Sequence, residues 1–416
     1  MRKGYLRNIM EDNEVKSKKV YLSNYGCQMN VRDSEVICGL LKDSGYKICS
    51  DEKQADVIIF NTCSVRQHAE DRVWSQIGAF KKTGTVKRKR NLRDSPQETG
   101  TVPIIGIVGC MAKNYAEKIF ERSPDVDFAV GPQDIDKIPD ILSRLSRNKE
   151  QSPKSGDSPL FQSKIWETDG QIRPDEIYHN NFYQDKEHAY LVISEGCSNF
   201  CSYCVVPYVR GGLRHRKVEN ILREAQGAIA QGITRITLLG QNVNAYQNGD
   251  IDFSGLLQRL DKIDGLKQIN FFTSHPKDAD PDFFKVIRDS QKLVKSLHLP
   301  LQSGSDKILK LMNRGYSAKE YLALIDSYRK IVKGGLLTSD IIVGFPGESE
   351  DDFSRTFELV NKAEFNAAYI FKYSPRPHTE ALKMADDVER ADKEKRHARL
   401  LELQRGISNK KNAKRR

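Results

Sequence analysis

Three cysteines in the run Glu195-Gly-Cys-Ser-Asn-Phe-Cys-Ser-Tyr-Cys-Val-Val-Pro-Tyr-Val-Arg-Gly211, spaced C-x3-C-x2-C at Cys197, Cys201 and Cys204, constrain this chain more than any other feature. A structural zinc site closes its tetrahedron with four protein ligands, and an electron-transfer iron–sulfur site uses four cysteines. Three thiolates leave one metal position open. That suits a [4Fe-4S] cluster with one iron free to bind a substrate or cofactor. The plainer alternatives are a zinc knuckle completed by a nearby His, or three unrelated core thiols.

Eight cysteines in 416 residues, with no N-terminal apolar run of signal-peptide length and no stretch of 18 apolar residues, place the chain in a reducing cytoplasm, without disulfides or a membrane partner. Five cysteines precede the triad, and three of them share a setting. Cys27 follows the strand-like run Val20-Tyr-Leu, Cys63 ends Val57-Ile-Ile-Phe-Asn-Thr-Cys, and Cys110 ends Ile104-Ile-Gly-Ile-Val-Gly-Cys; a helical pattern follows each. Loops after the carboxyl ends of parallel strands converge on one sheet edge, so three thiolates distant in sequence would meet there as a second three-ligand site. Gly26 and Gly109, directly before two of them, fit backbone that turns sharply or approaches a ligand closely. Buried cysteines at strand ends are the simpler alternative. Cys38, inside Val36-Ile-Cys-Gly-Leu-Leu41, and Cys49, near a strand end, read as packing or surface thiols.

Residues 1–18 are polar and expected to fray. From 19 to 145, strand runs alternate with helical patterns over Val31–Leu41, Gln67–Phe80, Lys113–Phe120 and Asp134–Leu145, which predicts a doubly wound α/β domain. The basic run Lys81–Arg93 interrupts it, as a solvated loop or a phosphate-contacting arm. Residues 146–182, rich in Ser, Lys, Pro and Gly over Arg147–Ser163, read as an interdomain linker. From 183 to 375 come six strand candidates, at Ala189–Ile193, Arg235–Leu239, Gln268–Phe272, Lys295–Leu299, Leu337–Val343 and Ala367–Tyr373. Helical patterns follow the first five, among them Val218–Ala230, Pro281–Ser290, Ala318–Val332 and Glu350–Ala363. Six β/α units are too few for a closed eightfold barrel, and sites in such folds lie at the carboxyl ends of the strands. Residues 376–416 read as a basic helical tail, Val388–Gln404 followed by Asn409-Lys-Lys-Asn-Ala-Lys-Arg-Arg416.

The triad's spacing, with the aromatic Tyr203 before its last cysteine, resembles the defining loop of the radical S-adenosylmethionine (SAM) enzymes. The resemblance implies a partial (β/α)6 barrel, an open iron that chelates SAM, and an electron that splits SAM into methionine and a 5′-deoxyadenosyl radical. Together with the upstream trio, the stretch from Lys19 to Arg376 is similar to the radical-SAM methylthiotransferase family. Tyr25-Gly-Cys-Gln-Met-Asn30, Asn61-Thr-Cys-Ser-Val-Arg66, Val205-Val-Pro-Tyr208, Phe272-Thr-Ser-His-Pro276 and Leu299-Pro-Leu-Gln-Ser-Gly-Ser305 resemble its tRNA-modifying MiaB branch. This implies two [4Fe-4S] clusters: an auxiliary one on Cys27, Cys63 and Cys110, and a SAM-binding one on Cys197, Cys201 and Cys204. It also implies two SAM, methylthio insertion at carbon 2 of an N6-dimethylallyl adenosine next to the anticodon, and a flavodoxin- or ferredoxin-like donor. Threonylcarbamoyl-adenosine in tRNA or a ribosomal protein is an alternative target, and a non-catalytic iron–sulfur RNA-binding protein an alternative class. Family members normally continue into a small β-barrel TRAM domain, which this chain is expected to lack. A monomer is expected.

The presumed active edge carries further candidates. Leu239-Gly-Gln-Asn-Val-Asn244, Phe272-Thr-Ser-His-Pro276, His298-Leu-Pro-Leu-Gln-Ser-Gly-Ser305 and Val343-Gly-Phe-Pro-Gly-Glu348 follow four successive strands. Glycine admits a ligand against the backbone, and neutral polar side chains hydrogen-bond without quenching a radical; turn chemistry alone would account for any single run. Tyr203, Gly240, Gln241, Ser274, Gln302, Ser303 and Gly344 are the SAM candidates. His275 and His298 read as capping or core residues as readily as catalytic ones. A net charge of +11 and a pI near 9.1 suit an RNA partner. Arg210, Arg214, Arg216, Arg314 and Arg376 are candidates to meet its phosphates.

Overall fold

The structure, a computed structural model, describes residues 17–64, 67–82, 103–150, 164–170, 172–179 and 182–413. Most of the basic run after Lys82, the span 151–163 and Val65-Arg66 lie outside the described residues.

Six strands, β1 (Lys19–Tyr25), β2 (Lys47–Ile48), β3 (Val57–Thr62), β4 (Ile104–Gly109), β5 (Phe128–Val130) and β6 (Ile165–Glu167), form one parallel sheet in the order β2-β1-β3-β4-β5-β6. β3 and β4 are buried throughout because helices cover both faces. Val57, Ile59, Ile104 and Val108 pack under α1 (Gln28–Asp43) and α5 (Ile138–Glu150). Ile58, Phe60, Ile105 and Ile107 pack under α2 (Gln67–Lys82), α3 (Cys110–Tyr115) and α4 (Lys118–Arg122). The strand period of two thus divides one hydrophobic run between two cores. The helix expected over Lys113–Phe120 is two short ones, broken at Ala116, where φ is 42°. β6 and the 3-10 turn Asp175–His179 lie within the stretch expected to be a linker. Arg173 and Tyr178 are buried, so from Lys164 onward much of that stretch belongs to the fold.

The second unit has six parallel strands in sequence order: His188–Val192, Arg235–Leu239, Gln268–Phe271, Ser296–His298, Leu336–Val343 and Ala367–Lys372. Between its two three-stranded halves, Ile269 of the third strand forms a parallel bridge with Leu293, just before the fourth. One continuous core lies between these strands and the surrounding helices. The helix Arg390–Ala413 buries Leu400 and Ile407 in that core, so the segment expected to be a basic tail is, up to there, a packed wall of the barrel. Among the described residues no helix is long and apolar enough to cross a membrane.

Candidate active site

Cys27 sits at the turn between β1 and α1, Cys63 follows β3, and Cys110 follows β4, so three strand ends bring the thiols to one edge. Cys27 is exposed, whereas Cys63 and Cys110 are buried. The Cys63 thiol hydrogen-bonds both others, which raises its own pKa well above the usual thiol value and lowers those of Cys27 and Cys110; the Arg210 charge lowers the latter two further. Two buried asparagines shape this edge. Asn30 Oδ1 accepts from the Cys27 N–H at 3.3 Å and from its thiol at 3.4 Å. Asn30 Nδ2 donates to Asn61 Oδ1 at 3.0 Å, and Asn61 Nδ2 donates back to Asn30 O at 2.9 Å. Gly109 has φ 91°, and a Cβ there would meet Asn61 Oδ1 at 2.5 Å, so its identity is fixed by both conformation and space.

Cys197, Cys201 and Cys204 follow the first barrel strand, all partly exposed. Gly196 has φ 74°, and a Cβ on it would run into the carbonyls of Gly211 and Gly212. Gly211 O in turn accepts from the Cys197 N–H at 3.1 Å, closing the loop. Ser202 anchors the loop's centre, its N–H donating to Met312 O at 3.0 Å and its hydroxyl to Leu311 O at 2.8 Å. Burial pushes the Cys204 thiol up to about 12 and raises Cys197. Tyr203 packs against Phe345, Met312 and Tyr373.

A buried ionic network joins the two cysteine sites. Arg210, on the short helix Val206–Arg210 after Cys204, donates from Nε to Cys110 Sγ at 3.3 Å and from Nη2 to Asp33 Oδ2 at 2.7 Å. Asp33 Oδ1 accepts from Arg173 Nη1 at 2.7 Å, and Arg173 also reaches Glu195 Oε1 at 3.0 Å, two residues before Cys197. Burial alone would raise the Asp33 pKa, but Arg173 and Arg210 more than reverse it. Beside it, Arg32 pairs with Glu224 at 2.9 Å across the same seam.

These contacts correct the reading of the arginines as phosphate contacts. Arg210 is held by Asp33 and Cys110, and Arg216 is buried against Asp175 and Glu224. Arg314 is 4% exposed; its Nη1 donates to Cys201 Sγ at 3.2 Å and to the Tyr203 hydroxyl at 3.3 Å. Arg376 is buried. Arg214 alone of the five is partly exposed, 3.6 Å from Glu195. Sequence reasoning missed Asp33, Arg173, Asn30 and Asn61 as parts of the site; only the two asparagines, inside the quoted cysteine strings, carried a signal.

The loops after the barrel strands fit a polar cofactor. Ser194 Oγ, Gln241 Oε1, Asn242 Oδ1, Ser274 Oγ, His275 Nε2 and Gln302 Oε1 are buried without a protein partner. Such atoms are costly unless a ligand or water completes them. Burial, together with Arg314 and Lys277, holds the His275 pKa down to about 2, so its ring is neutral. A Cβ on Gly240 would run into Ser194 Oγ. Gly344, φ 69°, donates its N–H to Glu348 Oε2 at 2.6 Å, and Glu348 is bound by Arg396 from the C-terminal helix at 2.9 Å. Ser303 departs from the expectation: its hydroxyl is engaged inside the fold with Thr356 and the Ser305 N–H. His298 contacts Thr338 Oγ1 at 2.9 Å and Asp340 Oδ2 at 3.3 Å. Among the described residues no three His, Cys, Asp or Glu side chains form the ligand set of a single ion; a cluster's ligands grip separate corners and need not converge on one point.

A six-stranded partial barrel with a three-cysteine loop after its first strand defines a radical-SAM enzyme. The Radical SAM superfamily model matches residues 191–360, and the model described as uncharacterized protein family UPF0004 matches 19–131. The chain is 41% identical over 396 residues to the tRNA-2-methylthio-N(6)-dimethylallyladenosine synthase of Carboxydothermus hydrogenoformans, covering 94% of this chain and 84% of the relative. It is 37% identical over 401 residues to the enzyme of that name from Geobacter sulfurreducens, covering 96% and 84%. Among solved structures, the radical SAM methyltransferase TsrM from Kitasatospora setae, with cobalamin and a [4Fe-4S] cluster bound, superposes with a TM-score of 0.57 at 12% identity, covering 88% of this chain and 77% of that one. The cobalamin-dependent radical enzyme OxsB gives 0.53 at 13% identity, covering 92% and 57%. The chain belongs to the family of tRNA-2-methylthio-N6-dimethylallyladenosine synthases. Membership of the radical-SAM superfamily brings with it an iron–sulfur cluster and SAM.

Proposed function

We propose that this chain inserts a methylthio group at carbon 2 of N6-dimethylallyladenosine in tRNA, with two [4Fe-4S] clusters in distinct roles. The observation that carries this reading is the Arg210–Cys110 contact: the loop bearing one three-cysteine site hydrogen-bonds a sulfur of the other. Two open-iron sites linked through one short helix suit a reaction that needs a radical and a sulfur donor together. Cys197, Cys201 and Cys204 would hold the cluster that supplies the electron for SAM cleavage, and Cys27, Cys63 and Cys110 the one that carries the sulfur. An adenine C–H is too weakly acidic for removal by a protein base at neutral pH, so the chemistry belongs to the cofactors. The protein's part is positioning. The neutral His275 and the unpartnered Ser274, Gln241 and Gln302 atoms would orient SAM without adding a competing acid or base. A low-potential one-electron donor of flavodoxin or ferredoxin type would feed the reaction.

The test is nucleoside mass spectrometry of tRNA from cells lacking their own methylthiotransferase, with and without this chain. Appearance of the 2-methylthio nucleoside is expected. Cys201→Ala should abolish SAM cleavage, whereas Cys63→Ala should leave cleavage intact and stop methylthio formation. Methylthio product from the Cys63→Ala protein would sink the two-cluster assignment.

A further inference from the structure

Five of the buried arginines differ from Arg314 in one respect. Arg32, Arg173, Arg210, Arg216 and Arg396 each face a carboxylate: Glu35 and Glu224, Asp33 and Glu195, Asp33, Asp175 and Glu224, and Glu348 respectively. Arg314 is buried as deeply and has none among the described residues. Its donors go to Cys201 Sγ at 3.2 Å, the Tyr203 hydroxyl at 3.3 Å, the Tyr316 hydroxyl at 3.0 Å and Pro300 O at 3.1 Å. His275, which is neutral, Lys277, which adds positive charge, and Tyr321 also act on this region; Asp340, which acts on Tyr321, contacts His298 at 3.3 Å. A guanidinium stays protonated in proteins, and a buried charge without a counter-charge is costly. Cys201 sulfur is the acceptor able to carry the missing negative charge.

We propose that Arg314 is the fixed positive charge that sets how readily the iron–sulfur cluster on Cys197, Cys201 and Cys204 takes its electron. The proposal rests on the reading of those cysteines as cluster ligands. One electron from a low-potential donor reduces the iron core by one unit, no covalent bond of the protein changes, and the site gains one negative charge. A cation hydrogen-bonded to a ligand sulfur stabilises that added charge more than the oxidised state. Arg210 on Cys110 is the internal contrast, because Asp33 already offsets its charge. Tyr316 and Pro300 hold the Arg314 plane, so its N–H is aimed at the sulfur rather than drawn to it. Arg314 is thus a positioning and charge-setting residue, acting through Cys201.

The experiment is an EPR-monitored redox titration of the reconstituted full-length chain, following the reduced signal that SAM perturbs, for the wild type, Arg314→Gln and Arg314→Lys. Loss of the charge in Arg314→Gln is expected to cut the equilibrium constant for reduction about tenfold, which is about 59 mV more negative for a one-electron couple. Arg314→Lys should recover part of the shift. An unmoved midpoint in a loaded Arg314→Gln protein overturns the proposal while leaving the cluster reading intact. So does an unmoved midpoint with a raised KM for SAM, which would make Arg314 a contact to the cofactor's carboxylate. A wild-type chain with no SAM-perturbed signal overturns the cluster reading itself. If Arg314→Gln carries no iron, the wild type grown on arginine labelled with nitrogen-15 decides. Hyperfine coupling of that cluster to a guanidinium nitrogen supports the proposal, and its absence refutes it.

Discussion

Asp33 is the point at which the two units are most exposed to a single substitution. Its side chain is 1% exposed, and its two oxygens accept from Arg173 and Arg210, each at 2.7 Å. Asp33→Asn keeps the shape but removes the charge, and turns an amide N–H toward one of two guanidinium groups. Removing one member of a buried ion pair costs about 3–5 kcal/mol, because its partner is left buried and unpaired. Here one anion serves two cations, which places the cost near the upper end. With a urea dependence of about 2 kcal/mol per M, the unfolding midpoint should fall by about 2 M. The chain's two tryptophans, Trp74 and Trp166, both lie in the N-terminal unit, so their fluorescence follows that unit selectively. A midpoint shift below about 0.5 M, well under what such a loss requires, would refute the claim that both arginines depend on Asp33. Arg210→Gln should cost much less in the Asp33→Asn background than in the wild type, since contacting residues are not additive. The pH dependence has a defined sign: the folded pKa of Asp33 lies below its ordinary 3.8, so its contribution is present above that value and is lost as pH falls through the folded pKa.

Three further outcomes follow from the site. His275 is held down to about 2 in the folded chain against an ordinary 6.5, so below pH 6.5 the unfolded chain takes up a proton that the folded chain refuses. Between pH 7 and pH 5 the wild type should therefore lose about 2 kcal/mol more stability than His275→Gln, measured by urea unfolding at each pH; equal losses would exclude a buried neutral ring. Gly196→Ala must adopt a left-handed backbone costing about 1–2 kcal/mol and also meets two carbonyls that cannot move aside. The variant should lose the SAM-perturbed iron signal while the tryptophan-monitored transition stays put, and a normal signal would refute the loop geometry. Arg396→Ala leaves the buried Glu348, whose pKa burial already raises, without its cation, and frees the Gly344 turn. The KM for SAM should rise several-fold, and an unchanged KM would separate that turn from the cofactor.

How much of this was legible in the sequence depends on the kind of interaction. The convergence of Cys27, Cys63 and Cys110 was legible because strand ends in a parallel sheet share an edge, a rule that needs only a hydrophobic run and a following helix. The barrel strand Arg235–Leu239 and the helices Val218–Ala230 and Glu350–Ala363 fell where their periodicity put them. β6 was missed because three residues between Ser-rich and Asp/Gly-rich segments give no periodicity to read. The arginines were misread for a deeper reason. Arg32, Asp33 and Glu35 on α1 look like a solvated face, yet all three are buried: Arg32 pairs with Glu224 and Asp33 with Arg173, each more than a hundred residues away, while Glu35 pairs with Arg32 and accepts from the Gln184 N–H. Charge pattern in a local window cannot distinguish a solvated ion from one paired at long range. The C-terminal helix misled similarly: its frequent Lys and Arg suggested a basic helical tail, whereas Leu400 and Ile407 secure it to the barrel.

The place of α1 bears on how this protein can vary. Val36, Ile37 and Leu41 share one apolar cluster with Val192 and Leu239 from the first two barrel strands, and Arg32 crosses the same boundary to Glu224. The two units are therefore not portable modules on a string. Exchanging the N-terminal unit for that of a distant relative would import a helix whose apolar stripe and charge order were fitted to another barrel. Chimeras should fold only when α1 travels with the strands and the Val218–Ala230 helix it was fitted to. Substitutions on the two sides of that boundary are correspondingly expected to compensate one another in pairs.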